Sequence, residues 1–134
     1  MRLLLDTSTL NYLIKKRQPV LERFEAAVGN GALFLLGSVA HYELTRYLYL
    51  KGARRLLREY EDITASWLRC DLHFEEWEKA ARVWAERSRL GLSIADLDLL
   101  LAVLARRENA VLVSSNVKHF EGLGIPIEDW TLPA

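Results

Sequence analysis

A small set of oxygen-bearing side chains in this sequence could bind a metal ion. It comprises three carboxylates and two neutral groups: Asp6, Glu43, Asp98, Ser114 and Asn116. The sequence has a single cysteine and no cluster of histidines to accompany them. Carboxylate, hydroxyl and amide oxygens are hard ligands that suit Mg²⁺ or Mn²⁺ rather than Zn²⁺. These residue types therefore predict chemistry supported by Mg²⁺, with Mn²⁺ as a substitute.

Asp6 directly follows the apolar run Leu3–Leu5, which has the length of a buried strand. In open parallel α/β sheets, ligands bind beyond the carboxyl ends of the strands, where Asp6 is expected to lie. The alternative is that Asp6 only caps the helix that begins near Ser8. Because Thr7 and Ser8 could provide that cap themselves, we favour a role for Asp6 in the site.

Glu43 falls on the apolar side of its predicted helix, among Val39, Tyr47 and Leu50. A buried carboxylate without a partner is costly, so Glu43 needs a cation, a hydrogen-bond donor or access to water. A salt bridge to an arginine in the core would meet that need as well as a metal ion would. For Glu43 taken alone, the sequence leaves both interpretations open.

Two acids, Asp96 and Asp98, occupy the first turns of a predicted helix over Ile94–Glu108 that is apolar all round. Ser93 and Asp96 have the spacing of a capping box, which predicts a structural role for Asp96. Asp98 lies too deep for that role and has no basic residue three or four positions further on. Asp98 is therefore the predicted metal ligand of the two.

The elements that must position these groups alternate along the chain. Apolar runs of strand length are Leu3–Leu5, Ala32–Leu36 and Ala110–Val113, with weaker ones at Arg69–Leu72 and Pro126–Trp130. Helical patterns begin near Ser8, after Pro19 and at Ser38 as a cap, and then cover Ala53–Trp67, Glu75–Leu90 and Ile94–Glu108. This order predicts a helix-rich α/β fold with a central parallel sheet flanked by helices. Ser114 and Asn116 follow the third strand, so we expect them to face the same crevice as Asp6.

The length of 134 residues predicts a single domain spanning 1–134. Lys plus Arg equals Asp plus Glu, at 18 each, so any affinity for nucleic acid must come from local patches. Basic residues do cluster at Lys15–Arg17 and around Arg54, although such runs are usually solvated faces. The single cysteine and the lack of a long apolar stretch lead us to expect a cytoplasmic protein without a membrane span.

In order and spacing, these motifs resemble a PIN-domain nuclease, and more narrowly a VapC-type toxin of a toxin–antitoxin pair. The resemblance rests on Leu-Leu-Leu-Asp6-Thr-Ser, on Ser38 followed by Glu43-Leu, on Asp98-Leu-Leu-Leu-Ala, and on Val-Ser114-Ser-Asn116-Val-Lys-His-Phe followed by Ile-Glu-Asp-Trp130. It covers nearly the whole chain.

The resemblance implies a PIN fold, a homodimer, and RNA hydrolysis by metal-activated water at Asp6, Glu43 and Asp98. It also implies an antitoxin partner that covers the active site. Many relatives have a fourth acid at the position of Asn116, where this chain has a neutral amide. That departure keeps open a non-catalytic binding module, and Ser8 stands where an aspartate-nucleophile phosphatase would need its second acid.

The predicted helices carry more large aromatic surface than a small core requires. The residues are Tyr47, Tyr49, Trp67, Trp77 and Trp84. Aromatic residues are enriched at protein interfaces, and core packing is the alternative for each of them. Together with the resemblance, they lead us to expect a homodimer with part of this set at the contact.

Overall fold

The computed structural model describes residues 1–134 as five strands and six α-helices. The strands are β1 (Arg2–Leu5), β2 (Leu33–Gly37), β3 (Leu68–Cys70), β4 (Val111–Val113) and β5 (Ile127–Glu128). The helices are α1 (Thr7–Ile14), α2 (Val20–Gly29), α3 (Ser38–Leu50), α4 (Arg54–Thr64), α5 (Phe74–Arg89) and α6 (Asp96–Arg107). A short 3₁₀ helix, Val117–Phe120, follows β4.

The strands form one sheet in the order β3-β2-β1-β4-β5, and every neighbouring pair is parallel. Both weakly signalled strands are present, at β3 and β5. The chain builds outward from β1 through β2 to β3 and then crosses to the other side of β1 to form β4. The direction of winding therefore reverses between β1 and β4, which is where ligands bind in such sheets. The predicted α/β fold with a central parallel sheet is confirmed.

The central strands are apolar throughout because helices cover both faces of the sheet. Leu3, Leu4 and Leu5 are all buried, and so are Leu104 and Ala105 of α6. These side chains belong to one continuous hydrophobic cluster that reaches from α1 to the C-terminal segment. The helix that bears Asp98 is thus fixed against the middle of the sheet. None of the helices has the length and apolarity needed to cross a bilayer.

Two predicted helix caps are wrong. Gly37, not Ser38, is the N-cap of α3, and the Ser38 hydroxyl donates instead to Asp71 Oδ1 at 2.6 Å. The cap of α6 is Ala95, so the helix begins at Asp96 and no capping box joins Ser93 to Asp96. The helix starts late because Ala95 is extended and Ile94, just before it, is buried in a second small cluster with residues of α5 and α6.

The aromatic residues divide between core and surface. Trp67 lies beyond the end of α4 and is buried, with its ring stacked on Phe34 at 5.0 Å between centroids. Phe24 completes this aromatic cluster. Trp67 therefore belongs to the core, whereas the other four predicted interface aromatics are exposed: Tyr47, Tyr49, Trp77 and Trp84.

Candidate active site

Asp6 lies at the point where the winding of the sheet reverses. Its backbone N–H donates to Val113 O of β4 at 3.0 Å, which extends the pairing of β1 with β4 by one residue. Its Oδ1 accepts from the backbone N–H of Thr9 at 2.8 Å, so Asp6 is also the N-cap of α1. The expectation that Thr7 and Ser8 would relieve Asp6 of capping is wrong, because both are already helical. Capping and a place in the site are compatible, since the cap uses one of two oxygens.

Burial strongly affects the Asp6 carboxylate, which is only 5% exposed. Desolvation raises the pKa of Asp6, and the negative charge of Asp98 raises it further. Hydrogen bonds from Ser114 and Thr9 act in the opposite direction but do not cancel the effect of burial. No lysine or arginine pairs with this carboxylate, so its charge is compensated by neutral hydrogen bonds only.

Ser114 is fully buried and connects Asp6 to the loop that follows β4. Its hydroxyl oxygen accepts from the backbone N–H of Asn116 at 3.0 Å, which leaves the hydroxyl proton for Asp6. Asn116 itself is exposed, and its side chain does not cap the 3₁₀ helix. In this structure Asn116 acts through its backbone, since its carbonyl also accepts from the N–H of His119 at 3.0 Å.

Asp98 is the third residue of α6, and its side chain is 27% exposed. Desolvation raises its pKa, and the negative charge of Glu43 adds to that effect. The imidazole of His119 opposes both, with its Nδ1 at 3.5 Å from Asp98 Oδ2. Sequence patterns alone assign no role to His119, although it lies in the motif that follows β4. Its position three residues after Asn116 was the available signal.

Glu43 projects from α3 and is partly buried. The Thr7 hydroxyl donates to Glu43 Oε1, which links the first turn of α1 to α3. No arginine pairs with Glu43, so the alternative of a salt bridge in the core is wrong. The side chain borders a cleft of about 590 Å³ between α1 and α3.

The three acids interact as a chain with Asp98 in the middle. The charge of Asp98 raises the pKa of Asp6, and the charge of Glu43 raises the pKa of Asp98. No three His, Cys, Asp or Glu side chains lie together at metal-binding distances. Mg²⁺ commonly takes one or two carboxylates and keeps several of its waters. The oxygen-only donors and the unneutralised negative charge fit such an ion.

Glu76 is a buried acid outside the candidate site, and it shows how the fold compensates a structural carboxylate. It is 9% exposed, and its Oε1 accepts from Arg107 Nη1 at 2.6 Å and from the backbone N–H of His73 at 2.6 Å. This carboxylate is thus neutralised by a cation. Asp6 is more deeply buried and has no such partner, which distinguishes a candidate ligand from a structural acid.

Known proteins resemble this chain in sequence and in fold. The chain is 28% identical to "Ribonuclease VapC1" of Haemophilus influenzae, over 96% of this chain and 97% of that protein. The solved VapBC2 complex of Rickettsia felis bound to promoter DNA contains a chain of the same fold, with a TM-score of 0.84 at 24% identity, covering 97% of this chain and 99% of that one. The DNA-bound VapBC of Salmonella typhimurium gives a TM-score of 0.77 at 27% identity, with coverage of 97% and 98%.

The family model of the PIN domain matches residues 3–124. This stretch begins in β1 and ends after the 3₁₀ helix, so it contains every residue of the candidate site. The family resemblance recognised in the sequence is thereby confirmed, and the chain belongs to the PIN domain family.

Proposed function

We propose that this protein is a metal-dependent endoribonuclease and the toxin of a type II toxin–antitoxin system. The observation that carries the proposal is the pair Asp6 and Asp98 beside the reversal point of the sheet, a buried and a part-buried carboxylate with no lysine or arginine partner. A divalent cation bound by both would compensate these two buried charges. The similarity to a ribonuclease named VapC1 supports the choice of RNA as substrate.

Asp6 and Asp98 are the proposed principal ligands of Mg²⁺, with Mn²⁺ as a substitute. Such an ion, when bound, offsets the charge of the scissile phosphate and lowers the pKa of a coordinated water. Glu43 is the proposed general base or, if its side chain moves toward the other two acids, a further ligand. Because Thr7 occupies Glu43 Oε1, the other oxygen remains free to accept a proton from that water.

The remaining polar residues position the acids. Ser114 holds the Asp6 carboxylate through its hydroxyl, and His119 faces Oδ2 of Asp98. Asn116 supports the site by ordering Ser114 with its backbone N–H. Exclusion of a cation such as lysine or arginine from this network keeps the negative charge available for a metal ion.

The proposed partners are RNA as substrate, a cognate antitoxin protein and a second copy of this chain. The antitoxin rests on the similarity to chains solved in VapBC complexes. The homodimer rests on the exposed tryptophans of α5, Trp77 and Trp84. Such a toxin would act in the cytoplasm, where its RNA substrate is found.

The test is cleavage of labelled single-stranded or looped RNA by the purified protein, with and without divalent ions. We expect cleavage with Mg²⁺ or Mn²⁺, complete loss in EDTA, and recovery when excess Mg²⁺ is added back. Cleavage that persists in EDTA, after a contaminating nuclease is excluded, would contradict the mechanism.

A non-catalytic PIN module is the second candidate, and the neutral Asn116 at the position of a common fourth acid is what favours it. In that case the wild type would be inactive with either ion and yet bind a small partner protein. Asn116→Asp would then be the variant to examine, since it adds the missing carboxylate without changing side-chain volume.

A further inference from the structure

The cleft between α1 and α3 lies directly beside the candidate active site. Thr7 and Glu43, which are hydrogen-bonded to each other, form one end of it. Its volume of about 590 Å³ is in the range of small-molecule binding sites. Only three of its eight lining residues are hydrophobic. Apolar atoms nevertheless provide most of the lining surface, so the cleft suits a ligand with a flat apolar ring and polar edges.

Asn11 provides the sharpest feature of this cleft. It lines the cleft, yet its side-chain oxygen is inaccessible to solvent and has no hydrogen-bond partner in the protein. A buried acceptor without a donor costs free energy, and native structures rarely contain one without a functional reason. Rotation of the Asn11 side chain toward the cleft would bring this oxygen within reach of the N–H groups on the edge of a nucleobase, which would supply the missing donor.

Tyr47 and Arg46 complete the polar lining on α3. Tyr47 is exposed and offers an aromatic ring on which a base can stack. Arg46 forms no ion pair with a carboxylate, and its guanidinium lies over the ring of Tyr42 with Cζ 5.0 Å from the centroid. Its charge is therefore available to a phosphate, which argues for a nucleic acid rather than a neutral ligand.

We infer that this cleft is a nucleobase subsite, in which one base of a single-stranded RNA stacks on Tyr47 and donates a hydrogen bond to Asn11. Arg46 contacts the adjoining phosphate. This inference rests on the proposed ribonuclease function, because it places the recognised base next to the phosphate that Glu43 and its neighbours would cleave. The subsite makes Asn11 and Tyr47 determinants of sequence preference, a role that the acids cannot have.

The test is binding, measured apart from cleavage. Fluorescence anisotropy would follow labelled ten-nucleotide oligomers of A, C or U, and an abasic oligomer of equal charge, on the Asp98→Asn background. Tyr47→Ala should weaken binding of the base-containing oligomers about tenfold and leave the abasic one unaffected. Tyr47→Phe, which keeps the ring, should recover most of that loss. Tyr49→Ala is the matched control, since Tyr49 is an exposed tyrosine of the same helix that does not line the cleft.

The other two positions separate base recognition from charge. Asn11→Ala should narrow the affinity differences among A, C and U, whereas Arg46→Ala should weaken every oligomer alike and reduce the salt dependence of binding. Thermal unfolding of each variant checks that the fold is intact.

Two results would overturn the inference. Equal binding of abasic and base-containing oligomers would do so, and so would unchanged affinity in folded Tyr47→Ala and Asn11→Ala proteins, which would leave the cleft to a protein partner. A wild type that shows base-dependent binding through Tyr47 but never cleaves RNA would support the subsite and contradict only the proposed ribonuclease function.

Discussion

The Asp6 carboxylate has two tasks at the scale of a single residue. One oxygen caps α1 through the backbone N–H of Thr9, and the group as a whole is a proposed metal ligand. The cap keeps the side chain in a fixed orientation at the end of β1, which preorganises the site. The accompanying cost is a buried negative charge without a cation, which appears as a raised pKa.

Replacing each of the two acids of α6 should show which of them RNA cleavage requires. Asp98→Asn should reduce RNA cleavage to background while leaving the fold intact, because it removes one ligand charge at constant volume. Asp96→Asn is the matched control and should retain cleavage. Single-turnover cleavage in Mg²⁺, with circular dichroism of each variant, would measure both.

The loss of stability expected for Asp96→Asn is smaller than a capping box would imply. The capping box would have predicted a loss of about 1 kcal/mol. Because Asp96 is exposed and does not cap α6, we now expect about 0.5 kcal/mol or less, from its interaction with the helix dipole alone. Loss of cleavage in a folded Asp96→Asn protein would show that the wrong aspartate was assigned.

Asp6→Asn should stabilise the metal-free protein at neutral pH. A carboxylate whose pKa is higher in the folded than in the unfolded state destabilises the fold as pH rises through the interval between those two values. Asn removes that titration and remains a good N-cap. Urea unfolding in EDTA should therefore show a more stable variant at pH 7, with the difference shrinking as the pH falls toward 3.8, the ordinary value.

Asp71 provides a control of opposite sign. Hydrogen bonds from Ser38 and the backbone of Leu72 lower the pKa of this exposed carboxyl, so its contribution to stability is present at neutral pH and lost in acid. Asp71→Asn should thus not stabilise the protein at pH 7. An Asp6→Asn variant less stable than the wild type there would contradict the assignment of an uncompensated charge.

Among the secondary-structure elements, α6 fixes the position of Asp98 because it packs closely on the sheet. Gly37 ends β2 and allows this approach, because a Cβ there would lie 2.9 Å from Leu104 Cδ2 and 3.2 Å from Leu4 Cδ1. Both leucines are completely buried in the core, so a shift of either must displace other core side chains. Gly37 is thus needed for contact rather than for backbone conformation.

Gly37→Ala should destabilise the protein by about 1–3 kcal/mol through overpacking. Gly29→Ala is the matched control, since a Cβ at this helical glycine would contact nothing within 4 Å, and it should be neutral or stabilising by about 0.5 kcal/mol. Urea denaturation of both variants would test this. Equal stability of the two would mean that α6 can shift away from the sheet without cost.

The exposed face of α5 is the part of the whole molecule that best fits a dimer contact. Trp77 and Trp84 are 52% and 50% exposed, and they border a largely apolar groove with Leu99 and Leu100 of α6. Tryptophans that anchor interfaces commonly contribute at least about 2 kcal/mol each. This groove shares no lining residue with the cleft beside Glu43. The protein can therefore use one surface for a second copy of the chain and the other for RNA.

Dimerisation through this groove predicts a mass of about twice 15.4 kDa by light scattering. Trp77→Ala and Trp84→Ala should each shift the population toward monomer, because truncation removes an apolar anchor. Tyr49→Ala, an exposed aromatic on α3, should not. A wild type that is monomeric at micromolar concentration would contradict the dimer.

The sequence by itself was sufficient to predict the three central strands and to propose which acids form the site. Strands buried on both faces are short, continuous apolar runs, so β1, β2 and β4 were evident without any contact information. Parallel pairing then put Asp6 and Ser114 at one edge, because parallel strands end on the same side. The chemical type of the proposed metal also follows from residue identity alone.

Only the tertiary structure decided how each polar group is used, because helix starts, burial and pKa depend on neighbours that are distant in the chain. Burial of Ile94 delays α6 and removes the predicted cap at Ser93. The Ser38 hydroxyl donates to Asp71, which follows the neighbouring strand β3, and so does not cap α3. His119 reaches Asp98 only because the 3₁₀ helix folds back on α6. The unsatisfied oxygen of Asn11 has no signature in a sequence, since its lack of a partner is a property of packing.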